Sequence, residues 1–159
     1  MTPVDVVSSG DGTPPGGDGQ RDGVPSGDVG VSCDRGTYID GYCYFTAGLN
    51  SMDYTTAKAL CTAGAAEPAS IHSQAANDQI FGMMLKVRDA IWIGLLRSGT
   101  AYAWEDATPL DFTNWASGEP DSQDCAVMVG PLGDQSRQGM WVDSRCSSYY
   151  EEIVCRKKP

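Results

Sequence analysis

Residues 90–96 read Ala90-Ile91-Trp92-Ile93-Gly94-Leu95-Leu96, a near-continuous apolar run inside a chain that is otherwise rich in glycine and acid. A strand with one wet face alternates apolar and polar residues, so a run without alternation predicts a strand covered on both faces. Material must therefore pack on either side of it. On the N-terminal side the sequence offers helices. Asp53 is placed to cap a first helix, with Tyr54, Ala57, Leu60, Cys61 and Gly64 on one face and Glu67-Pro68 as its stop. Ser73 is placed to cap a second, with Ile80, Phe81, Met84 and Val87 as its buried stripe. Before them, Tyr38 to Phe45 alternates around Asp40-Gly41 and reads as a hairpin whose ends Cys33 and Cys43 would staple.

Beyond residue 96 the periodicity lapses. Residues 97–139 read as a long loop region, a length that in a compact domain points either to function or to a missed element. It is interrupted by Cys125 to Val129, and Tyr150 to Cys155 closes the chain; both read as strands. Helices first and strands later define an α+β domain. Residues 1–32 stand apart, with eight glycines, four prolines, five aspartates, one arginine and no aromatic. Such a segment buries too little apolar surface to offset its ordering entropy, so 1–32 is expected to be a flexible acidic linker and 33–159 the domain. It carries no heptad pattern that would build a coiled-coil neck.

The net charge is −10. This excludes the basic footprint of a nucleic-acid binder and adsorption to anionic lipid. No run approaches the ~20 apolar residues of a membrane span. Met1 opens no signal peptide; if the protein is secreted, its leader is expected to be removed or outside this sequence. Six cysteines stand at 33, 43, 61, 125, 146 and 155. None are spaced for zinc, and an even set suits disulfides in an oxidising, extracellular compartment. Spacing alone leaves 15 pairings open. His72 is the sole histidine and reads as structural. No nucleophile, base and orienting group are evident as a set, so the chain reads as a binding protein and not an enzyme.

Four motifs, in order, resemble the C-type lectin-like domain: Trp92-Ile93-Gly94-Leu95, Asn114-Trp115 with Gly118-Glu119-Pro120-Asp121, Gly139-Met140-Trp141-Val142-Asp143 ahead of Cys146, and Ser70-Ile71-His72-Ser73. The resemblance covers Cys33 to Cys155. It implies the long form of that fold: two helices, antiparallel sheets and a long loop region. It also implies three disulfides, Cys61–Cys155, Cys125–Cys146 and Cys33–Cys43, and a cis Glu119–Pro120 bond that aims the flanking side chains at one point. Trp115 and Trp141 would then be core.

The same resemblance implies one calcium ion held by Glu119, Asp121, Gln123 and Asp143, with vicinal hydroxyls of a carbohydrate completing its shell. Calcium takes ~6–8 oxygen ligands, which such a set supplies with water. The motifs depart from the family in two places. Glu-Pro-Asp presents two acceptors and no amide donor, so neither the mannose-type nor the galactose-type preference carries over; the carboxamide of Gln123 is the nearest replacement. Val142 stands where an asparagine would give an oxygen, which lowers the expected affinity to the ~10⁻⁴–10⁻³ M range of extracellular sites. Asp124 lacks carboxylate companions for a second ion. Tyr102 and Arg97 are the loop-region side chains left free to touch a ligand. The expectation is a secreted, calcium-dependent glycan-binding lectin. Its alternative is a lectin-like domain that binds a protein or other surface through the long loop without calcium or sugar.

Overall fold

The computed structural model describes residues 32–85 and 88–159; the acidic segment (except Ser32) and Val87 lie outside them. Strands β1 (Thr37–Ile39) and β2 (Tyr42–Ala47) form the expected hairpin about Asp40-Gly41. Helix α1 (Tyr54–Ala63) is capped by Asp53, whose carboxylate accepts from Thr56 N at 2.8 Å. It ends at Gly64 and not at Glu67-Pro68, because the Gly64 N–H already closes on the carbonyls of Leu60 and Cys61. Glu67–Pro68 instead forms a short strand, β3, and Leu60 faces outward. Ser73 caps α2 (Gln74–Met83) through Ala76 N, with Met84 just past its end and Phe81 only half-buried.

The apolar run becomes β4 (Ala90–Ser98), the central strand. Side-chain alternation divides it between two cores. Ile91, Ile93 and Leu95 face a cluster with Ile71, Ile80, Trp104, Met128 and Trp141, while Ala90 and Trp92 face one with Phe45, Tyr54, Cys61 and Ile153. Gly94 has a separate reason. A Cβ there would stand 2.6 Å from the Pro68 carbonyl oxygen, where the backbones of β3 and β4 pass in contact. The strand does not stop at residue 96. It turns at Gly99 and returns as β5 (Ala101–Trp104), so the start of the expected loop is a hairpin; the turn residues hid it because the alternation is weak.

Strands β6 (Cys125–Val129), β7 (Trp141–Ser144) and β8 (Ile153–Lys157) complete one sheet in the order β1-β2-β8-β4-β6-β7, with β3 on β8 and β5 on β4. The last strand thus begins three residues later than Tyr150. Pairing is antiparallel except between β4 and β8, which are parallel at Trp92 and Ile153, so the sheet is mixed and not antiparallel throughout. Lys157 Nζ lies 3.1 Å from Asp34 Oδ2, which brings the two ends of the described domain together at the β1–β2 side.

All three expected disulfides are present: Cys33–Cys43, Cys61–Cys155 and Cys125–Cys146. Cys61–Cys155 closes a sequence separation of 94 residues and joins α1 to β8, both ends buried in the second core. Replacing both cysteines by alanine is expected to cost about 4 kcal/mol in the loop-entropy picture. Urea unfolding of the double variant should show that loss as a lower midpoint, with a steeper slope because the uncrosslinked unfolded chain exposes more surface.

Candidate calcium and ligand site

The site is built where the loop after β5 meets β7. Trp115 and Trp141 lie side by side, Ala116 N donating to the Trp141 carbonyl and Trp141 N to that of Asn114, both at 2.8 Å. Trp141 is fully buried, ringed edge-on by Trp104, Phe112 and Trp115, and its indole N–H donates to Asn77 Oδ1 of α2 at 2.8 Å. Trp141 is core as expected, and Trp115 packs against that core while half-buried. Alternation along β7 then puts Val142 against the second core and turns Asp143 to the loop. At the other end of the loop, Cys125 is tied to Cys146 and Arg97 N donates to the Asp124 carbonyl at 2.9 Å.

Between these anchors the chain wraps one carboxylate. Asp143 Oδ1 accepts from Asp121 N at 3.0 Å; Oδ2 accepts from Ser122 N at 2.8 Å and Gln123 N at 2.5 Å. Successive N–H groups aimed at one anion form a nest. It requires Ser122 to take φ of 103°, a region that favours glycine and costs a β-carbon of order 1–3 kcal/mol. The Tyr102 hydroxyl, on β5, lies 2.7 Å from Asp143 Oδ2 and 2.5 Å from the Gln123 carbonyl, and its one proton serves both. Burial and the adjacent Asp143 push the Tyr102 pKa up.

Glu119 and Asp121 join from either side of Pro120, and the Glu119–Pro120 bond is cis. Glu119, Asp121 and Asp143 each contribute one carboxylate oxygen to a set lying within 4.8 Å of one another, the one such acidic group among the described residues. Gln123 is beside it, its amide nitrogen 3.5 Å from Asp121 Oδ1. Glu119 Oε1 accepts from Arg137 Nη1 at 2.8 Å. Burial and then the neighbouring Asp143 raise the Glu119 pKa. Burial alone would raise Asp143 too, but the bonds from Tyr102 and from the Asp121 and Gln123 N–H groups outweigh it and hold that carboxyl at about 2.

Whether these residues suit calcium is decided oxygen by oxygen. Asp143 Oδ2 is filled by its three donors. Oδ1 takes only one, Glu119 has one oxygen clear of Arg137, and the Asp121 side chain is exposed. One open oxygen per carboxylate, with the Gln123 carboxamide alongside, fits a hard divalent cation. Val142 adds no oxygen. Asp124 does not join the cluster.

Two sequence expectations change. Tyr102 and Arg97 are not idle: Tyr102 orients Asp143, and Arg97 pins the loop by donating to the Ser122 carbonyl and, at 3.0 Å, to that of Gly99. Arg137 was not foreseen. It lies 18 residues after Glu119 on a segment with no motif, and its one clue in sequence was a basic residue standing shortly before Asp143. In addition, a serine, a histidine and an aspartate do come together: His72 Nε2 is 3.1 Å from Ser70 Oγ and His72 Nδ1 is 2.7 Å from Asp111 Oδ1. Ser70, however, is 1% exposed and donates its hydroxyl to Asp106, which is ion-paired with Arg156. Its oxygen has no open face toward a substrate, and the trio braces the loop against the start of α2.

The model of the lectin C-type domain matches residues 50–157, and the chain belongs to that family. Over 121 residues it is 32% identical to the low affinity immunoglobulin epsilon Fc receptor of Mus musculus, covering 72% of this chain and 34% of the receptor. Over 133 residues it is 31% identical to the alpha-N-acetylgalactosamine-specific lectin of Patiria pectinifera, covering 76% of each. The crystal structure of the cow C-type carbohydrate-recognition domain of CD23, in the presence of GlcNAc2Man3 oligosaccharide, superposes with a TM-score of 0.69 at 26% identity, covering 81% of this chain and 97% of that one. The chain spans about a third of the length of the mouse receptor.

Asp143 gives a signed pH prediction. Its folded pKa lies below the ordinary 3.8, so the stability it contributes is complete above that value and is lost as pH falls toward about 2. In Tyr102→Phe the main side-chain donor is gone, the folded pKa should rise toward 3.8, and the loss should be smaller and complete at higher pH. An NMR titration of the Asp143 carboxyl in calcium-free buffer checks both.

Proposed function

We propose that this domain recognises glycans outside the cell, holding one calcium ion with Glu119, Asp121, Gln123 and Asp143 and binding sugar hydroxyls there. The observation that carries this reading is the convergence of three carboxylates from two separate segments within 4.8 Å. Like charges gathered this closely are costly, and a divalent cation relieves that cost; burial first and then the neighbouring Asp143 raise the Glu119 pKa. A bound calcium ion would supply coordination positions for hydroxyl oxygens. The chain's own part is to fix the geometry: the nest and Tyr102 hold Asp143 rigid, Asp121 faces solvent, and the Gln123 amide offers the donor that Glu-Pro-Asp lacks. The Patiria pectinifera lectin named for alpha-N-acetylgalactosamine and the cow domain crystallised in the presence of GlcNAc2Man3 oligosaccharide support sugar as the ligand class without choosing a sugar. Three disulfides support an extracellular setting. Among the described residues no helix is long and apolar enough to cross a membrane. The domain binds and does not catalyse.

One observation favours a second reading. Asp143 Oδ2 is already saturated by the chain's own donors and Val142 offers no oxygen, so the loop holds its shape without a cation. In that reading the same face binds a protein or another surface without calcium.

A thermal melt in ~10 mM calcium against chelator separates them. At about ten times its Kd a ligand stabilises by about 1.4 kcal/mol, a shift of a few degrees. The first reading expects that shift in the wild type and its loss in Glu119→Gln, followed by calcium-dependent signals on a glycan array. An unchanged melting temperature sinks the calcium reading. Asp143→Ala is a poor choice here, since it strands three backbone donors as well as removing a ligand.

A further inference from the structure

Among the described residues, Arg137 is the one cation paired with the carboxylate cluster. Its Nη1 donates to Glu119 Oε1 at 2.8 Å, while its Nε lies 3.5 Å from Asp134 Oδ2, outside the cluster on the same segment. The guanidinium is therefore forked between a half-buried acid inside the site and an exposed acid beside it; the Glu119 side chain is 13% exposed and that of Asp134 56%. Asp134 is itself held in place, its Oδ1 accepting from Ser136 N at 2.9 Å and Ser136 Oγ at 2.7 Å. The Arg137 side chain is 38% exposed, long, and carries donors left over from both contacts.

We infer that Arg137 is a built-in competitor for the cation: its guanidinium neutralises Glu119 while the site is without calcium, and calcium binds more tightly when it withdraws toward Asp134. This rests on the calcium reading above. The physical case is one of exclusion. A guanidinium on one oxygen of Glu119 takes a lone pair and places a unit positive charge beside the position of a divalent ion. The two occupants repel each other, so each weakens the other by the same factor. The nest does for Asp143 what Arg137 does for Glu119, but a backbone nest cannot leave without unwinding the loop, whereas an arginine needs only a rotamer change. Asp134 supplies the resting place that makes such a change cheap. The affinity for calcium is thus set partly by a residue that is not among its ligands.

The test is calorimetric titration of calcium chloride into the full chain and into Arg137→Gln, Arg137→Lys and Asp134→Asn, with circular dichroism to verify folding. Arg137→Gln keeps length and polarity but drops the charge, and should bind calcium about fivefold more tightly than wild type, equivalent to about 1 kcal/mol. Arg137→Lys retains the charge and should stay near wild type. Asp134→Asn keeps the turn acceptor for Ser136 but removes the resting place, and should bind more weakly. Equal or weaker binding by Arg137→Gln overturns the inference while leaving the calcium reading in place. Heat of binding in neither wild type nor Arg137→Gln overturns both. Tight binding by Arg137→Gln alone supports it, with the wild-type competitor then dominant.

Discussion

Asp143 is where parts of the chain that are distant in sequence have to agree. It belongs to the edge strand β7, it is wrapped by the N–H groups of residues 121–123, and it is met from β5 by Tyr102. An anion that accepts four hydrogen bonds at low exposure stabilises all the groups that donate them, and each of those groups loses a partner if it goes. The bent backbone at Ser122 persists because this carboxylate holds it. The loop is consequently ordered by the protein before any ligand arrives, and a ligand that binds to it is spared much of the ordering cost.

That arrangement depends in turn on β4 being covered twice. One core fixes Trp141 and hence the register of β7; the other takes Val142, so that Asp143 can only turn to the loop. The disulfides reinforce the same division. Cys61–Cys155 secures the helix side, and Cys125–Cys146 ties the C-terminal end of the loop to the segment just beyond β7. Family membership and internal geometry agree on this plan, because both follow from where the large apolar residues fall.

Much of this was legible in the sequence, for identifiable reasons. The doubly apolar run at 90–96 announced a central strand, and Asp53 and Ser73 announced helix starts, since burial and capping are local demands on residue type. Gly99-Thr100 was passed over because a weakly alternating hairpin looks like loop. The first helix was run too long because Pro68 is a stronger visible stop than Gly64. For the site, the acids could be gathered by resemblance alone. What could not be read was the count of donors on each oxygen. That count follows from the path of residues 121–123 and from Arg137, whose partner lies across a turn that no motif marks.

The sheet order has a consequence for how the domain can be mounted. Asp34 and Lys157, close to either end of the domain, meet beside β2, whereas Glu119, Asp121 and Asp143 gather at the β7 margin, the far side of the strand order. The described domain therefore holds its two ends at one margin of the sheet and its acidic loop at the other. A connection made through either end would lie at the opposite margin of the sheet from the carboxylates. Several such domains strung in series, or many fixed to one surface, would present their loops outward together, which is the geometry in which weak single contacts add into a firm grip.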